Sequence, residues 1–236
     1  MKIIAIGHYK RVGKDWFARA VVRHCAEINP SLRVKVKSWA WKLKQICHEL
    51  YGWAGLREPH FYETDEGQPH RETILPAIGK SPRQIWIEFG TDAVRELVYR
   101  HTWRDHLLRT DHQCDVLIIP DTRFYNEIEG IDEVGGHKLK IVRPGYRAGD
   151  NKPDQELLSY RGWHNVIGEV GTLKSLDQWA CLYALWLCGK AAEPKCGEGV
   201  LERVLRDVEN QEEEVVGVVG EVTAVGSNLP PASISR

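Results

Sequence analysis

Short apolar runs alternate along this chain with longer segments whose apolar residues recur at helical spacing. Residues 3–6 form a continuous apolar run, which is typical of a buried strand, and residues 16–25 place apolar side chains every three or four positions, which predicts a helix that buries one face. Strict alternation at 31–37 predicts a second strand. The same criteria predict further strands at 115–119, 138–142 and 165–167, and further helices at 39–50 (capped by Ser38), from Ser81-Pro82, from Thr91-Asp92, at 126–131 and at 173–187.

The order of these elements predicts the fold class. Strands that alternate with helices form parallel β-α-β units, so we expect a three-layer α/β domain in which helices flank a parallel sheet. That domain is predicted to span residues 1–189, with a helical insert at about 38–110 and a polar, lid-like segment at about 144–163. The acidic residues 212–214 and the Gly-, Val-, Pro- and Ser-rich end predict an extended, partly disordered C-terminal tail at 190–236.

Composition and charge narrow the class of protein. The chain has 236 residues, of which 42% are hydrophobic and 28% charged, as is ordinary for a water-soluble globular enzyme. The formal net charge of −1 gives no reason to expect nucleic-acid binding, and no apolar run is long enough to span a membrane, so neither is a predicted partner. The six cysteines form no C-x-x-C pair and the short apolar start does not resemble a signal peptide, so we expect a cytoplasmic protein.

The first strand leads into a basic turn, residues 7–15, which we call the Gly-Lys loop. Strand, Gly-Lys pair and helix follow one another as in phosphate-binding loops, where backbone N–H groups hold phosphate oxygens and a lysine, here Lys14, reaches the outer phosphates. The usual spacing G-x-x-x-x-G-K-[ST] is not met, because His8 stands at the first glycine position and Asp15 replaces the hydroxyl residue. An ordinary turn with a basic surface is the alternative interpretation.

A second candidate element lies at the end of the apolar strand 115–119. Pro120 and Asp121 follow it, and an apolar strand that ends in an aspartate is typical of a Walker B element. The acid would lie at the carboxyl edge of the sheet, where open α/β sheets bind their ligands. Because Mg²⁺ takes one or two carboxylates and keeps several waters, Asp15 and Asp121 are the predicted metal partners. A turn-forming aspartate is the alternative for Asp121.

Beyond the Gly-Lys loop, several motifs occur in a fixed order along residues 1–188. They are Lys10–Asp15, Ser38–Ala40 with Leu43-Lys44, Ser81–Arg83 with Phe89–Asp92 and Arg95, Asp121–Glu127, and Gly171–Leu173. Together they resemble the phage-type deoxynucleoside monophosphate kinases, a branch of the P-loop nucleotide kinases, in which an aspartate also follows the loop lysine. The resemblance implies a P-loop NTPase fold and does not extend to the tail.

The resemblance also implies an activity, Mg²⁺-dependent phosphoryl transfer from ATP to a deoxynucleoside monophosphate, which gives the diphosphate and ADP. ATP and the monophosphate would be the ligands, Mg²⁺ the cofactor, and the insert at 38–110 the acceptor site. Arginine suits such a site because its planar guanidinium contacts phosphate oxygens in pairs. The predicted nucleotide-binding residues are Lys10, Arg11, Val12, Gly13, Lys14, Asp15 and Arg143; the acceptor-binding residues are Lys44, Arg83 and Arg95; the catalytic residues are Lys14, Arg83, Arg95 and Arg123; the metal ligands are Asp15 and Asp121.

Two other functions stay open as alternatives. Animal phosphomevalonate kinases carry a similar K-R-x-G-K-D loop, so the acceptor could be a phosphorylated metabolite that is not a nucleotide, although the stretch 121–127 argues against it. His8 and the acidic tail motivate the other alternative, a nucleotide-binding protein without transfer activity. Neither the accepted base nor the oligomeric state is predicted, and a homodimer stays open. For a phage-encoded protein the expected compartment is the host cytoplasm.

Overall fold

A five-stranded parallel sheet lies at the centre of the fold. The structure is a computed structural model, and it describes residues 1–7, 9–146, 155–168 and 172–195. The strands lie in the order β2-β3-β1-β4-β5, and each neighbouring pair is parallel. Their bounds are β1 Lys2–Gly7, β2 Val34–Val36, β3 Val116–Thr122, β4 His137–Ile141 and β5 Asn165–Ile167. Every strand that the apolar pattern predicts is therefore confirmed.

β1 and β4 differ from their predicted bounds by one residue at each end, whereas β2 and β3 differ by more. The edge strand β2 pairs only with β3, over three residue pairs, and is shorter than the predicted strand at 31–37. β3 runs on to Thr122, which pairs with Gly7 after a shift in register between the two strands. Asp121 therefore lies within the last residues of a strand, and not in a turn that follows it.

The helices lie on both faces of the sheet and in the predicted insert. A π-helical segment, Glu88–Arg95, continues one of them, and three short 3₁₀ turns occupy the region 52–72. The α-helices whose bounds lie within the described residues are α1 Lys14–Ile28, α2 Trp41–Tyr51, α3 Pro82–Ile87, α4 Thr102–Arg109, α5 Tyr125–Glu133 and α6 Leu173–Leu187. Of the predicted helices, the last matches its bounds, and the start at Ser81-Pro82 is confirmed by a capping box between Ser81 and Gln84.

The predicted cap of α2 is wrong. The helix begins at Trp41, after Ala40, and no side chain caps it. The reason is tertiary: the backbone N–H of Trp39 donates to Asp121 Oδ1 at 3.2 Å, and its indole N–H donates to Thr122 Oγ1 at 3.2 Å. These bonds hold Trp39 against the end of β3, so the helix can start only beyond it.

The predicted helix start at Thr91-Asp92 is also wrong. The π-helical segment passes through both residues without a break. Gly90 is a packing position and not a helix end, because a Cβ there would clash with Leu43 Cδ2. The indole N–H of Trp103 also donates to the Gly90 carbonyl at 2.9 Å. A π-helical turn widens the backbone spiral, as is frequent at functional sites.

Two apolar clusters, one on each face of the sheet, confirm the three layers. α1 and α6 cover one face, where Phe17 and Tyr183 meet edge to face at 5.5 Å between ring centroids. α4 and α5 cover the other face, where Leu107 and Ile131 pack on Leu117 and Ile119. Burial on both faces explains why the central strands are continuous apolar runs.

The region of the predicted insert has an apolar cluster of its own, built on Leu43, Cys47, Leu56, Tyr62, Leu75 and Ile85. Residues Met1–Pro194 form one compact unit, and Lys195–Arg236 form a second, of which only Lys195 is described. The tail predicted at 190–236 therefore lies almost wholly outside the described residues. Across the described ranges, no helix is both long and apolar enough to cross a bilayer.

Candidate functional site

The Gly-Lys loop joins β1 to α1 at the carboxyl edge of the sheet. Gly13 immediately precedes α1 with a φ of +95°, and a Cβ at this position would lie 2.9 Å from Leu176 Cδ2. Both the backbone conformation and the close approach of α6 therefore require glycine. Val12 is buried, whereas Lys10 and Arg11 are exposed at the surface of the loop. His8 lies outside the described residues.

Lys14 is the first residue of α1, and only 5% of it is exposed. Its amine donates a hydrogen bond to the backbone carbonyl of Tyr9, five residues earlier in the loop. The ammonium group is thereby held inside the curve of the loop, next to the first N–H groups of a fifteen-residue helix. A fixed cation beside a helix N-terminus is suited to binding a phosphate group.

An open cavity, which we call the cleft, lies between this edge of the sheet and the insert, with a volume of about 720 Å³. Asp15 and Arg19 of α1 line one side, and Lys44 and Arg71 of the insert line the other. Asp121 and Arg123, at the end of β3, also line it. The cleft therefore brings together predicted metal, acceptor and catalytic residues from distant parts of the chain.

A second cavity of about 300 Å³, which we call the aromatic pocket, lies between α2, the π-helical segment and the start of α5. Trp39, Trp103 and Phe124 give it aromatic walls, and Arg95 and Asn126 give it polar groups. Asp121 and Arg123 line this pocket as well as the cleft, so the two cavities adjoin at the end of β3. Apolar walls with a few polar groups are typical of a pocket for a small organic ligand.

Asp121 lies where the two cavities adjoin. Burial raises the pKa of its carboxyl, and Asp15 adds to that shift, while Lys44, the Trp39 N–H and Arg123 oppose it. Asp15 and Asp121 both line the cleft, so the two carboxyl groups face the same space. A divalent cation between them would relieve the repulsion.

The donor set fits Mg²⁺ in its usual protein environment. Mg²⁺ is commonly held by one or two carboxylates together with phosphate oxygens and water, and not by a complete protein cage. Asp15 and Asp121 supply two carboxylates, and within the described ranges no group of three or more metal-ligating side chains occurs. The pair therefore suits a metal that arrives with a phosphorylated ligand.

Arg71 is a residue of the cleft that the sequence did not single out. It lies in the 3₁₀ turn Pro69–Glu72, and its Nε donates to the Tyr62 carbonyl at 2.9 Å. Burial lowers the pKa of its guanidinium, Arg83 lowers it further, and Glu63 and Asp15 oppose this. Arg71 is therefore a half-buried cation that faces Asp15 across the cleft. Its position depends on the path of the long loop and could not be predicted from the sequence.

Glu127 lines the aromatic pocket and holds the start of α5. Its Oε2 accepts the backbone N–H groups of Arg123 at 2.7 Å and Phe124 at 3.1 Å. Burial raises the pKa of this carboxyl to about 8, and Asp121 adds to that shift, while the two N–H donors and Arg95 oppose it. The carboxyl thus fixes the backbone on which Arg123 is carried.

Glu127→Gln is expected to alter the pH dependence of stability. Because the folded pKa lies above the ordinary value of 4.5, unfolding releases a proton between these two values, and wild-type stability falls as pH rises from about 4.5 to about 8. Glutamine cannot ionise, so the free energy of unfolding of the variant should fall less over this range. Urea unfolding at several pH values measures it, with Glu129→Gln, an exposed position of the same helix, as control. Parallel curves for Glu127→Gln and wild type would contradict the expectation.

Arg83 and Arg143 lie apart from these cavities, and the loop residues Lys10–Lys14 are not among the lining residues of either cavity. Arg83, on α3, is half exposed and forms an ion pair with Glu72, and it is not among the residues that line the cleft or the aromatic pocket. Arg143, just after β4, lies with its guanidinium carbon 4.6 Å from the ring centroid of Tyr146. Of the predicted lid at 144–163, residues 147–154 lie outside the described ranges. The roles of both arginines stay predictions.

Comparison with known proteins gives two relatives. The sequence is 31% identical over 154 residues to a protein of Acanthamoeba polyphaga mimivirus named "Putative deoxynucleotide monophosphate kinase", and the match covers 58% of this chain and 76% of the viral protein. It is 29% identical over 101 residues to the "Deoxynucleotide monophosphate kinase" of Enterobacteria phage T4, over 41% of this chain and 42% of the phage protein. No family model matches the sequence.

Proposed function

Because the chain belongs to the deoxynucleotide monophosphate kinase family, we propose that it transfers the terminal phosphoryl group of ATP to a deoxynucleoside monophosphate in the presence of Mg²⁺. The observation that carries the proposal is the junction at Asp121 and Arg123, which line both the cleft and the aromatic pocket. A kinase of this kind needs two adjoining ligand sites, because donor and acceptor must meet in line.

The donor phosphates would lie against the Gly-Lys loop. The N-terminus of α1 favours negative charge, and the Lys14 amine is already held at the loop by the Tyr9 carbonyl. Asp15, one residue further, faces the cleft and would hold Mg²⁺ with Asp121. When bound, Mg²⁺ would neutralise charge on the phosphate oxygens. Asp15 carries a full charge, so it would suit a metal held through water.

The acceptor would lie on the side of the insert. A nucleobase is flat and mostly apolar at its faces, and the aromatic pocket offers Trp39, Trp103 and Phe124 as walls. Arg95 and Asn126 could donate hydrogen bonds to the acceptor. Lys44 lines the cleft, where its amine lies 3.6 Å from Glu63 Oε1, and its positive charge could bind the phosphate of the acceptor.

Transfer between these two sites needs charge stabilisation more than proton transfer. The second pKa of a phosphate monoester is about 6, so the attacking oxygen is already an anion at neutral pH and needs no general base. Arg123, which lies where the two cavities adjoin, is placed to stabilise the charge that is spread over the transferred group. Four arginines and two carboxyl groups line the aromatic pocket, and this excess of cations is consistent with the chemistry.

An ADP-release assay over the deoxy- and ribonucleoside monophosphates tests the proposal. We expect turnover with at least one deoxynucleoside monophosphate, lost when EDTA removes Mg²⁺, because the phosphate charges are then not neutralised. Mevalonate phosphate in the same assay separates the nucleotide kinase from the alternative metabolite kinase. ATP binding by calorimetry, without turnover on any acceptor, would instead indicate a nucleotide-binding protein and would overturn the proposed transfer.

A further inference from the structure

Lys140 is a fully buried lysine beside the Gly-Lys loop. It lies on β4, where its Cα pairs with that of Gly7, the last residue of β1 and the first of the loop. The side chain has no exposed surface, and within the described ranges its amine has no hydrogen-bond partner. Its strand neighbours Leu139 and Ile141 belong to the apolar cluster under α1 and α6, so alternation directs Lys140 to the opposite face of the sheet.

Lys138, two residues earlier on the same face of β4, has an amine with polar partners and serves as a comparison. Its ammonium pairs with Asp132 of α5 and donates to the Tyr160 hydroxyl at 2.8 Å. No comparable partner is found for Lys140: the described charge that acts on it is Arg161, which repels it. The ring centroid of Tyr9 lies 5.5 Å from its amine.

A buried amine without a partner costs free energy, since the ammonium form loses its hydration and the site gains no hydrogen bond in return. A methionine of similar length would fill the space without that cost. The residue nevertheless stands at the loop, and it shares Tyr9 with Lys14: the Lys14 amine donates to the Tyr9 carbonyl, and the Lys140 amine faces the Tyr9 ring. Both amines therefore lie near the same loop residue, Tyr9.

We propose that Lys140 is a second amine of the donor site, whose ammonium binds an oxygen of the polyphosphate chain of ATP. The inference rests on the proposed function and names a residue of its donor site. A polyphosphate is the class of ligand that fits, because it carries several anionic oxygens and can contact two amines at once. It would supply the hydrogen-bond acceptor and the negative charge that the described surroundings of Lys140 lack.

The proposal has a consequence for protons. Burial lowers the pKa of Lys140 to about 8, and Arg161 lowers it further. The titratable groups described around this part of β4 and the loop include Lys14, Lys138, Asp132, Tyr9, Tyr160, His137 and His164. An anion in contact with the amine favours its charged form and raises the pKa. Above about pH 8, ATP binding should therefore take up a proton, because an amine that is partly neutral becomes charged.

Calorimetric titration of the whole chain with ATP, and separately with tripolyphosphate, tests the proposal at about pH 8.5. Repeating each titration in buffers of different ionisation enthalpy gives the number of protons taken up per ligand bound. The wild type should take up part of a proton per ligand bound. Lys140→Met should bind about tenfold or more weakly without that uptake, while its unfolding temperature stays equal to or above that of wild type. Lys138→Met is the matched control, and its ligand binding should keep the proton uptake.

The possible results distinguish a failure of the proposed role of Lys140 from a failure of the proposed kinase function. Wild-type binding without proton uptake would overturn the role of Lys140, and this measurement does not depend on whether a variant folds. Equal affinity and equal uptake in Lys140→Met would show a structural lysine only. If the wild type bound neither ATP nor tripolyphosphate, the proposed function itself would fail, and the inference with it.

Discussion

Lys14→Met is expected to lower kcat by roughly a thousandfold, the scale of loss when a fixed donor to a developing negative charge is removed. The methionine fills the same space, so the loss would come from the amine and not from the packing of α1. Because the ammonium also binds the donor in its ground state, KM for ATP should rise by about tenfold as well. Initial rates over a range of ATP concentrations, with the best acceptor held saturating, measure both constants.

Lys2→Met is the matched control for this change. It makes the same substitution on the same strand-and-loop segment but at the amino end of β1, where Lys2 lies over the Trp186 ring, 4.6 Å from its centroid. Its kinetic constants should remain close to those of wild type. If Lys14→Met kept wild-type turnover with an unchanged unfolding temperature, the Gly-Lys loop would have no part in transfer.

The strands were predictable because their determinants are local. The residues around Ile4 and Ile118 are continuous apolar runs, and burial on both faces of a parallel sheet leaves no other pattern for them. The order of the strands in the sheet is harder to predict from the sequence, since it depends on which helix crosses which face of the sheet. The glycine at position 13 was predictable too, because a Gly-Lys pair between a strand and a helix has a specific physical role.

The parts of the site that the sequence did not predict depend on contacts between distant residues. Arg71 reaches the cleft only because the long loop folds back against Tyr62. Trp39 lines the aromatic pocket because Asp121 and Thr122, more than eighty positions away, bind its two N–H groups. The same two bonds prevent α2 from starting before Trp41. They therefore explain both why the predicted Ser38 cap is wrong and why Trp39 lines the pocket.

Asp121 and Glu127 link the electrostatics of the cleft to the backbone that carries Arg123. Repulsion from Asp121 adds to the raised pKa of the Glu127 carboxyl, and Glu127 accepts a hydrogen bond from the Arg123 backbone N–H at 2.7 Å. A cation held by Asp121 would favour ionised Glu127, since it offsets the repulsion. Metal binding and the position of the Arg123 backbone are therefore expected to be coupled.

Arg123→Met is expected to reduce kcat by roughly a thousandfold or more, the scale associated with an arginine that stabilises the transferred phosphoryl group. The residue lies where both cavities adjoin, so its guanidinium can act on the group in transit and not on one ligand alone. KM for ATP should change by less than about threefold, because an interaction made mainly in the transition state lowers kcat without weakening ground-state binding. Steady-state kinetics with both substrates varied measure this separation.

Two further variants decide whether charge or geometry is responsible at position 123. Arg123→Lys keeps the charge but loses the planar pair of donors, so it should recover only part of the lost rate. Arg109→Met removes an arginine whose side chain is 75% exposed on α4, and it should leave both constants unchanged. A fall in affinity for ATP with little change in kcat would place Arg123 at the donor alone, because an arginine that acts on the group in transit must affect the rate of the step in which that group moves.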